Sequence, residues 1–270
     1  MDKTRLTITL DKDILEKLDE YIDGARIRNR SHAIEYVLSK YFSPKVRKAL
    51  ILTGGKATSL PKGMIEINAR PVLEHTVENL RRYGVREIIF SLGHQGEKIR
   101  KHFGDGSRFG IKATYLEQGK FQTGTAQPIM QAKTELGNSP FMVIYGDVIA
   151  QLDLDDMMDF HLSHNGPVTI ALTAVNRSSD WGVVRIQGSR VYSFLEKPDN
   201  RRDLSNIINA GVYIFDPEIF DYLKDATRLE KDVFPKLVEE RKLFGYIFAG
   251  DWFDVGNSES YNRAIKEWKN

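Results

Sequence analysis

Two acids and a pair of glycines are the residues of this chain best suited to act together chemically. The segment Leu52-Thr53-Gly54-Gly55-Lys56-Ala57-Thr58 ends an apolar run from Ala49 to Thr53. Glycines directly after a strand let backbone N–H groups approach phosphate oxygens closely. Asp147 stands in Gly146-Asp147-Val148 behind the apolar FMVIY, and Asp254 stands in WFDVGN. Each acid closes a short apolar segment, and two carboxylates at strand ends suit a magnesium ion that also holds substrate phosphates. Alone, Gly-Gly is equally a plain turn and either aspartate a turn residue; together they point to a phosphate site. His161 and His164 have no evident third ligand and read as a surface helix end rather than a metal site. Trp181, Trp252, Phe253 and FMVIY read as core or pocket wall.

The elements that must position these residues follow from hydropathy. Glu87–Leu92, Lys112–Glu117, Phe141–Tyr145 and Thr169–Val175 read as strands; Pro71–Tyr83 and Gln95–Phe103 read as helices. This β-α-β rhythm predicts an α/β fold: a Rossmann-like, mostly parallel sheet with helices on both faces, its ligand beyond the carboxyl ends of the strands. With no cysteine, neither a disulfide framework nor a thiolate metal site is possible. The absence of a leader-like N-terminus or a membrane-length apolar run predicts a cytoplasmic protein with no membrane partner. A net charge of +2 implies no polyanion partner, so any nucleic-acid argument must be local.

Residues 1–43 have a different texture. Arg5–Leu10 alternates strictly, with Leu6, Ile8 and Leu10 on one face and Arg5, Thr7 and Thr9 on the other. Asp11 offers an N-cap to a helix carrying Ile14, Leu15, Leu18 and Ile22, which Gly24 ends. A second helix starts near Asn29 to Ser31 and carries Ala33, Ile34, Val37, Leu38 and Tyr41, with Ser43-Pro44 beyond it. One short strand and two helices bury too little apolar surface alone, and no partner strand follows. A second copy supplies one: two strands pairing antiparallel across a two-fold axis would make a homodimer whose open face presents Arg5, Thr7 and Thr9 to a DNA major groove. Arg26, Arg28 and Arg30 add local positive charge. The alternative is a dimerisation clip with no DNA partner.

TRLTITLDKDILEKLDEYI followed by NRSHAIEYVL resembles a ribbon-helix-helix domain of the MetJ/Arc repressor class. The resemblance implies that Arg5, Thr7 and Thr9 read bases of a palindromic operator. It also implies that the second helix's N-terminus, at Arg30 and Ser31, holds a phosphate, as exposed amides and the helix dipole favour.

After a linker at 44–47, residues 48–270 resemble the sugar-1-phosphate nucleotidyltransferases. KALILTGGKAT, RPVLEHTVENL, YGVREIIF, FGDGSRFGIKATYLEQ, TGTA, GDV, WGVV, EKP, NAGVYIF and DVGN occur in the family's order and spacing. The implied reaction is attack of a sugar-phosphate oxygen on the α-phosphorus of a nucleoside triphosphate, releasing pyrophosphate. By this resemblance the nucleotide meets Leu52, Gly54, Gly55, Lys56, Thr58, Gln118, Gly124 and Thr125. The sugar meets Gly182, Glu196 and Asn209, and Lys197 meets its phosphate. Asp147 and Asp254 hold Mg2+, and Lys62 matches a catalytic lysine of the family. The signature loop departs from the pattern: Ala57 stands in a glycine position, Ser59 replaces an arginine, and the segment before Pro61-Lys62-Gly63 is shortened. Losing one preorganised donor typically lowers a rate by roughly 10²–10³, and Lys56 is the available replacement charge. Two functions therefore stay open: an active nucleotidyltransferase, slightly preferred for its retained acids, or a transcription regulator whose former enzyme domain senses a nucleotide or nucleotide sugar.

Overall fold

A computed structural model describes residues 6–25, 27–42, 46–54, 60–119, 124–199 and 205–269. The chain divides into two compact units, residues 1–44 and 45–270. Arg5 and Arg26 of the first unit, and the loop positions Gly55, Lys56, Ala57, Thr58 and Ser59 of the second, lie outside the described residues.

In the first unit, α1 (Lys12–Asp19) and α2 (Arg30–Phe42) pack around Leu18, Ile27 and Ala33, with Leu10, Ile22 and Ile34 against them. Asp11 occupies the N-cap of α1, but its side chain makes no capping bond. At the start of α2, Asn29 Oδ1 accepts from the His32 amide at 2.9 Å. The first helix stops at Asp19, a turn earlier than the apolar spacing up to Gly24 suggests. The backbone there tightens through Tyr21 N–H to Leu18 O and Ile22 N–H to Asp19 O, and Asp23 Oδ1 then accepts from both Ala25 and Ile27. Local side-chain bonding of this kind competes with helix continuation. The expected strand over residues 5–10 is not formed in the single chain, where described residues 6–10 pair with no other strand.

In the second unit the strands fall on the expected apolar runs. They are β1 (Lys48–Leu52), β2 (Glu66–Ile67), β3 (Arg70–Pro71), β4 (Glu87–Leu92), β5 (Lys112–Glu117), β6 (Phe141–Tyr145), β7 (Val148–Ala150), β8 (Val168–Ala174), β9 (Gly182–Gln187), β10 (Arg190–Glu196), β11 (Ile207–Phe215), β12 (Leu243–Ile247) and β13 (Trp252–Asp254). Between and after them run α3 (Val72–Arg82), α4 (Glu97–Phe103), α5 (Ala126–Gln131), α6 (Lys133–Leu136), α7 (Leu154–Leu162), α8 (Ile219–Leu223), α9 (Phe234–Glu239) and α10 (Ser258–Glu267). Nine strands form one sheet in the order β5-β4-β1-β6-β11-β8-β12-β10-β9. The half from β5 to β6 is parallel, in line with the βαβ rhythm. Beyond it β11 runs antiparallel to both β6 and β8, and the β9–β10 hairpin closes the far edge. The sheet is mostly parallel, as expected: β12 lies parallel to β8, and β10 and β11 alone run against the other seven strands.

Alternation along the strands builds two cores. Ala49, Ile51, Ile88 and Phe90 face one layer with Leu73 and Leu80 of α3 and Met157 of α7. Leu50, Ile89, Phe141 and Val143 face the other with Ile129, Phe220 and Leu237. Both faces of the central strands are dry, which is why these strands read as unbroken apolar runs. A third cluster ties Ala264 of α10 to Phe253, Ile149 and Val72. No helix among the described residues is long and apolar enough to cross a membrane.

His161 departs from its sequence reading. It is buried, not at the surface, with Nδ1 2.9 Å from Thr169 Oγ1 and Nε2 3.4 Å from Asp216 Oδ2. The helix end carrying it packs on β8, so its ring serves as core.

Candidate active site

A cavity of about 610 Å3 opens over the carboxyl ends of β1 and β6. Its wall contains every described residue expected at the nucleotidyltransferase site: Leu52, Gly54, Lys62, Gln118, Gly124, Thr125, Asp147, Gly182, Glu196, Lys197, Asn209 and Asp254. These come from segments up to 200 residues apart, brought together by the crossover of β11 into the middle of the sheet.

On one side β1 is followed by Gly54, where a Cβ would lie 2.6 Å from Gln118 Oε1. The backbone therefore approaches the Gln118 amide more closely than any side chain permits. Gln118 is held by Nε2 donating to Ser91 Oγ at 2.9 Å, and its own N–H donates to Leu92 O. Gly124 sits at φ +98°, against the Thr227 carbonyl, a position only glycine fills without strain.

Between the walls stand the two acids. Asp147 follows β6, and its Oδ2 accepts from Lys62 Nζ at 2.9 Å. Asp254 ends β13, which pairs with β7 so that Asp254 lies opposite Val148. Its Oδ2 accepts from Trp181 Nε1 at 2.9 Å and its Oδ1 from the Gly256 amide at 2.7 Å. Burial first, then the neighbouring Asp147 charge, pushes the Asp254 pKa above the usual carboxylate range, against the pull of Trp181, Gly256 and Lys62. Burial disfavours the Lys62 ammonium, but the charge and hydrogen bond of Asp147 and the charge of Asp254 outweigh it and raise the Lys62 pKa. Two like charges held together and partly dehydrated disfavour each other's ionisation, and a cation between them would relieve that cost. Among the described residues no cluster of three or more ligating side chains occurs. A hard divalent cation that uses one or two carboxylates and takes its remaining oxygens from phosphates fits the pair as it stands.

The far wall is the β9–β10 hairpin and the bulged start of β11. Glu196 pairs with Gly182, where a Cβ would meet Phe194 at 2.7 Å and Glu196 Oε2 at 3.1 Å. Burial raises the Glu196 pKa while Lys197, Lys231 and Arg228 oppose it. Lys197 itself is held at φ +43°, an uncommon conformation for a non-glycine residue, with its N–H on Trp181 O. Strained backbone of this kind concentrates at functional sites. In β11 the register breaks between Asn209 and Tyr213; Asn209 Oδ1 accepts from Gly211 N–H while its Nδ2 donates to Tyr213 Oη at 2.8 Å. That bulge places Asn209 on the cavity wall.

Arg228 and Glu230 also line the cavity and were not singled out in the sequence. Tyr145, the last residue of the FMVIY run expected as core or pocket wall, lines it too. Arg228 and Glu230 flank the start of a π-helical turn, Leu229–Val233, and no local pattern announces them. Trp181 and Trp252, expected as core or pocket wall, line the cavity and meet edge to face at 5.5 Å.

In the first unit, Thr7, Thr9 and Ser31 are exposed. Arg30 is committed to Asp19, its Nε and Nη2 each 2.8 Å from a carboxylate oxygen.

A Rossmann-like sheet with a glycine turn, paired acids and a lysine over one cavity defines a nucleotide-handling transferase class. The family model for nucleotidyl transferases matches residues 48–270, and the chain belongs to that family. The model for ribbon-helix-helix proteins of the copG family matches residues 4–42. A mannose-1-phosphate guanylyltransferase catalytic subunit beta of Danio rerio is 37% identical over 227 residues, covering 79% of this chain and 62% of that protein. A probable mannose-1-phosphate guanylyltransferase 1 of Oryza sativa subsp. japonica is 34% identical over 233 residues, covering 81% and 64%. The chain thus spans somewhat under two thirds of the length of these relatives. Among solved structures, HddC from Yersinia pseudotuberculosis complexed with GMP-PN superposes with a TM-score of 0.69 at 27% identity, covering 83% of this chain and 100% of that one.

Proposed function

We propose that residues 48–270 catalyse nucleotidyl transfer from a nucleoside triphosphate to a sugar 1-phosphate, with Mg2+ as cofactor. The observation that carries this reading is the meeting of Asp147, Asp254 and Lys62 in one cavity with the other nine described positions expected from the family pattern. The relatives' names make GTP with mannose 1-phosphate the first pair to test.

In this reading Gly54, Gln118, Gly124 and Thr125 bind the nucleotide, while Gly182, Glu196 and Asn209 orient the sugar. Lys197 holds the sugar phosphate as a flexible point charge, and Arg228 adds a second cation on that wall. A sugar-phosphate oxygen attacks the α-phosphorus, a new P–O bond forms, and the bond to the departing pyrophosphate breaks. Catalysis is positioning and charge neutralisation. Asp147 and Asp254 would hold the magnesium ion, which supplies Lewis-acid neutralisation of the phosphates when bound. Lys62 contributes a charge that needs no reorganisation at the moment of reaction.

For residues 1–43 we propose a homodimeric ribbon that binds a palindromic operator through Arg5, Thr7 and Thr9. Ser31 and the amides of α2 take a phosphate; Arg30 supports that turn through Asp19. The substituted signature loop, Ala57 and Ser59, favours a second reading in which the larger unit senses a nucleotide sugar for transcriptional control. Pyrophosphate release with Mg2+, GTP and mannose 1-phosphate, then with a panel of other pairs, decides between them. Release supports the enzyme; nucleotide-sugar binding with no release from any pair supports the sensor.

A further inference from the structure

The cavity contains a carboxylate that the transfer reaction described above does not use. Glu230 is 9% exposed and lies 83 residues beyond Asp147 in sequence, on the π-helical turn. Its Oε2 accepts from Thr125 Oγ1 at 2.9 Å, and its Oε1 accepts from the Tyr145 hydroxyl. Thr125 Oγ1 in turn accepts from Leu229 N–H at 2.8 Å. All three side chains line the cavity.

The hydroxyl arithmetic has a chemical consequence. Each hydroxyl has one proton and two lone pairs. Thr125 and Tyr145 both spend that proton on Glu230, so what they present to the cavity is lone pairs. The carboxylate's remaining lone pairs add to the same acceptor surface. A ligand group resting on this wall must therefore be a donor, and a phosphate or carbonyl oxygen is repelled from it. Cations stand elsewhere on the lining, at Lys62, Lys197 and Arg228, which sorts phosphates away from the Glu230 wall.

We propose that Glu230 is a specificity-determining residue: by orienting the Thr125 and Tyr145 hydroxyls it makes this wall an acceptor surface that selects a hydroxyl of the pentose or hexose part of the ligand. The proposal rests on the nucleotidyltransferase reading of the cavity. Glu230→Gln preserves volume but replaces one acceptor oxygen with an amide donor, so the hydroxyl facing it must turn round.

The test is calorimetric titration of the full-length chain with GDP-mannose, its 2′-deoxyribose analogue and its deoxymannose analogues. The parent protein is expected to bind GDP-mannose at least about tenfold more tightly than one of these analogues, because a site built for a hydroxyl leaves buried acceptors unpaired when it is missing. The analogue that suffers identifies pentose or hexose as the source. Glu230→Gln is expected to abolish that discrimination while the melting temperature stays close to the parent's. Tyr145→Phe, which leaves Glu230 in place, should reduce it and covers the case in which Glu230→Gln does not fold. A parent that binds all analogues equally, or variants that keep the discrimination, overturns the assignment of Glu230. A parent that binds no nucleotide sugar and releases no pyrophosphate overturns the underlying reading of the cavity instead.

Discussion

The two units of this chain solve the burial problem differently. In the larger unit the sheet is covered on both faces, and side chains such as Phe90, Phe141, Tyr213 and Phe234 are entirely or almost entirely buried. Among the described residues of the smaller unit the buried apolar side chains are Leu18, Ile27 and Ala33, while Leu6 is 78% exposed and Ile8, Ile14, Val37 and Leu38 are exposed as well. A nine-stranded sheet with flanking helices can close its own core; two short helices and a lone strand-forming segment cannot. The described residues of the site in the larger unit all come from one chain. The smaller unit, by contrast, carries an apolar surface suited to a second copy.

This contrast is broken most severely by Asp254→Asn. It should reduce pyrophosphate release by roughly 10²–10³, read in a steady-state assay, with dimerisation of the smaller unit unchanged. The folded-state pKa of Asp254 is raised, so its ionised form weakens the fold as pH rises through the interval above the ordinary value near 3.8. Asp254→Asn should remove that pH dependence while losing one acceptor for Trp181 Nε1–H or Gly256 N–H, and a stability-versus-pH profile identical to the parent's would refute the assignment.

Next in size, Leu6→Asp with Ile8→Asp should weaken self-association by about 10²-fold or more, since each copy loses two apolar side chains from the interface. Analytical ultracentrifugation reads this, and an unaltered dimer would place the interface elsewhere. Transfer activity per chain should be unchanged.

A smaller effect concerns pH. Glu196 has a raised pKa because it is buried, and the proposed sugar contacts need it ionised as an acceptor. Sugar-phosphate KM should therefore rise as pH falls through a value above the ordinary 4.5, and Glu196→Gln should remove that limb of the profile. The smallest change expected is Arg30→Ala: its pair with Asp19 is solvent-exposed, and such pairs contribute little to stability. Its melting curve should match the parent's, while operator binding should weaken modestly through the less ordered start of α2.

Much of this was legible in the residues. The runs 87–92, 112–117 and 141–145 are strands to the residue, because buried central strands bear an apolar signature with sharp polar ends. Gly54 and the two acids follow or close the strands at which the reading placed them. Less legible was the reversal of β10 and β11 within the sheet, since strands of either direction leave similar apolar runs in a sequence. His161 was misread for a related reason: a polar residue at a helix end is buried or exposed according to what packs against it, and here that is β8.

The sequence by itself determined the α/β class, the change of texture near residue 44 and the family pattern that picks out Asp147, Asp254, Glu196 and Lys197. Those properties are local: periodicity, turn chemistry and short motifs are written within a few residues of one another. Tertiary structure alone decided that Lys62 neutralises Asp147, that Trp181 and Gly256 hold Asp254, and that Glu230 turns the hydroxyls of Thr125 and Tyr145 toward itself. Apart from the local Gly256–Asp254 bond, each depends on segments 73 to 105 residues apart meeting within hydrogen-bond distance. Only the closed sheet, with β11 set between β6 and β8, brings them there.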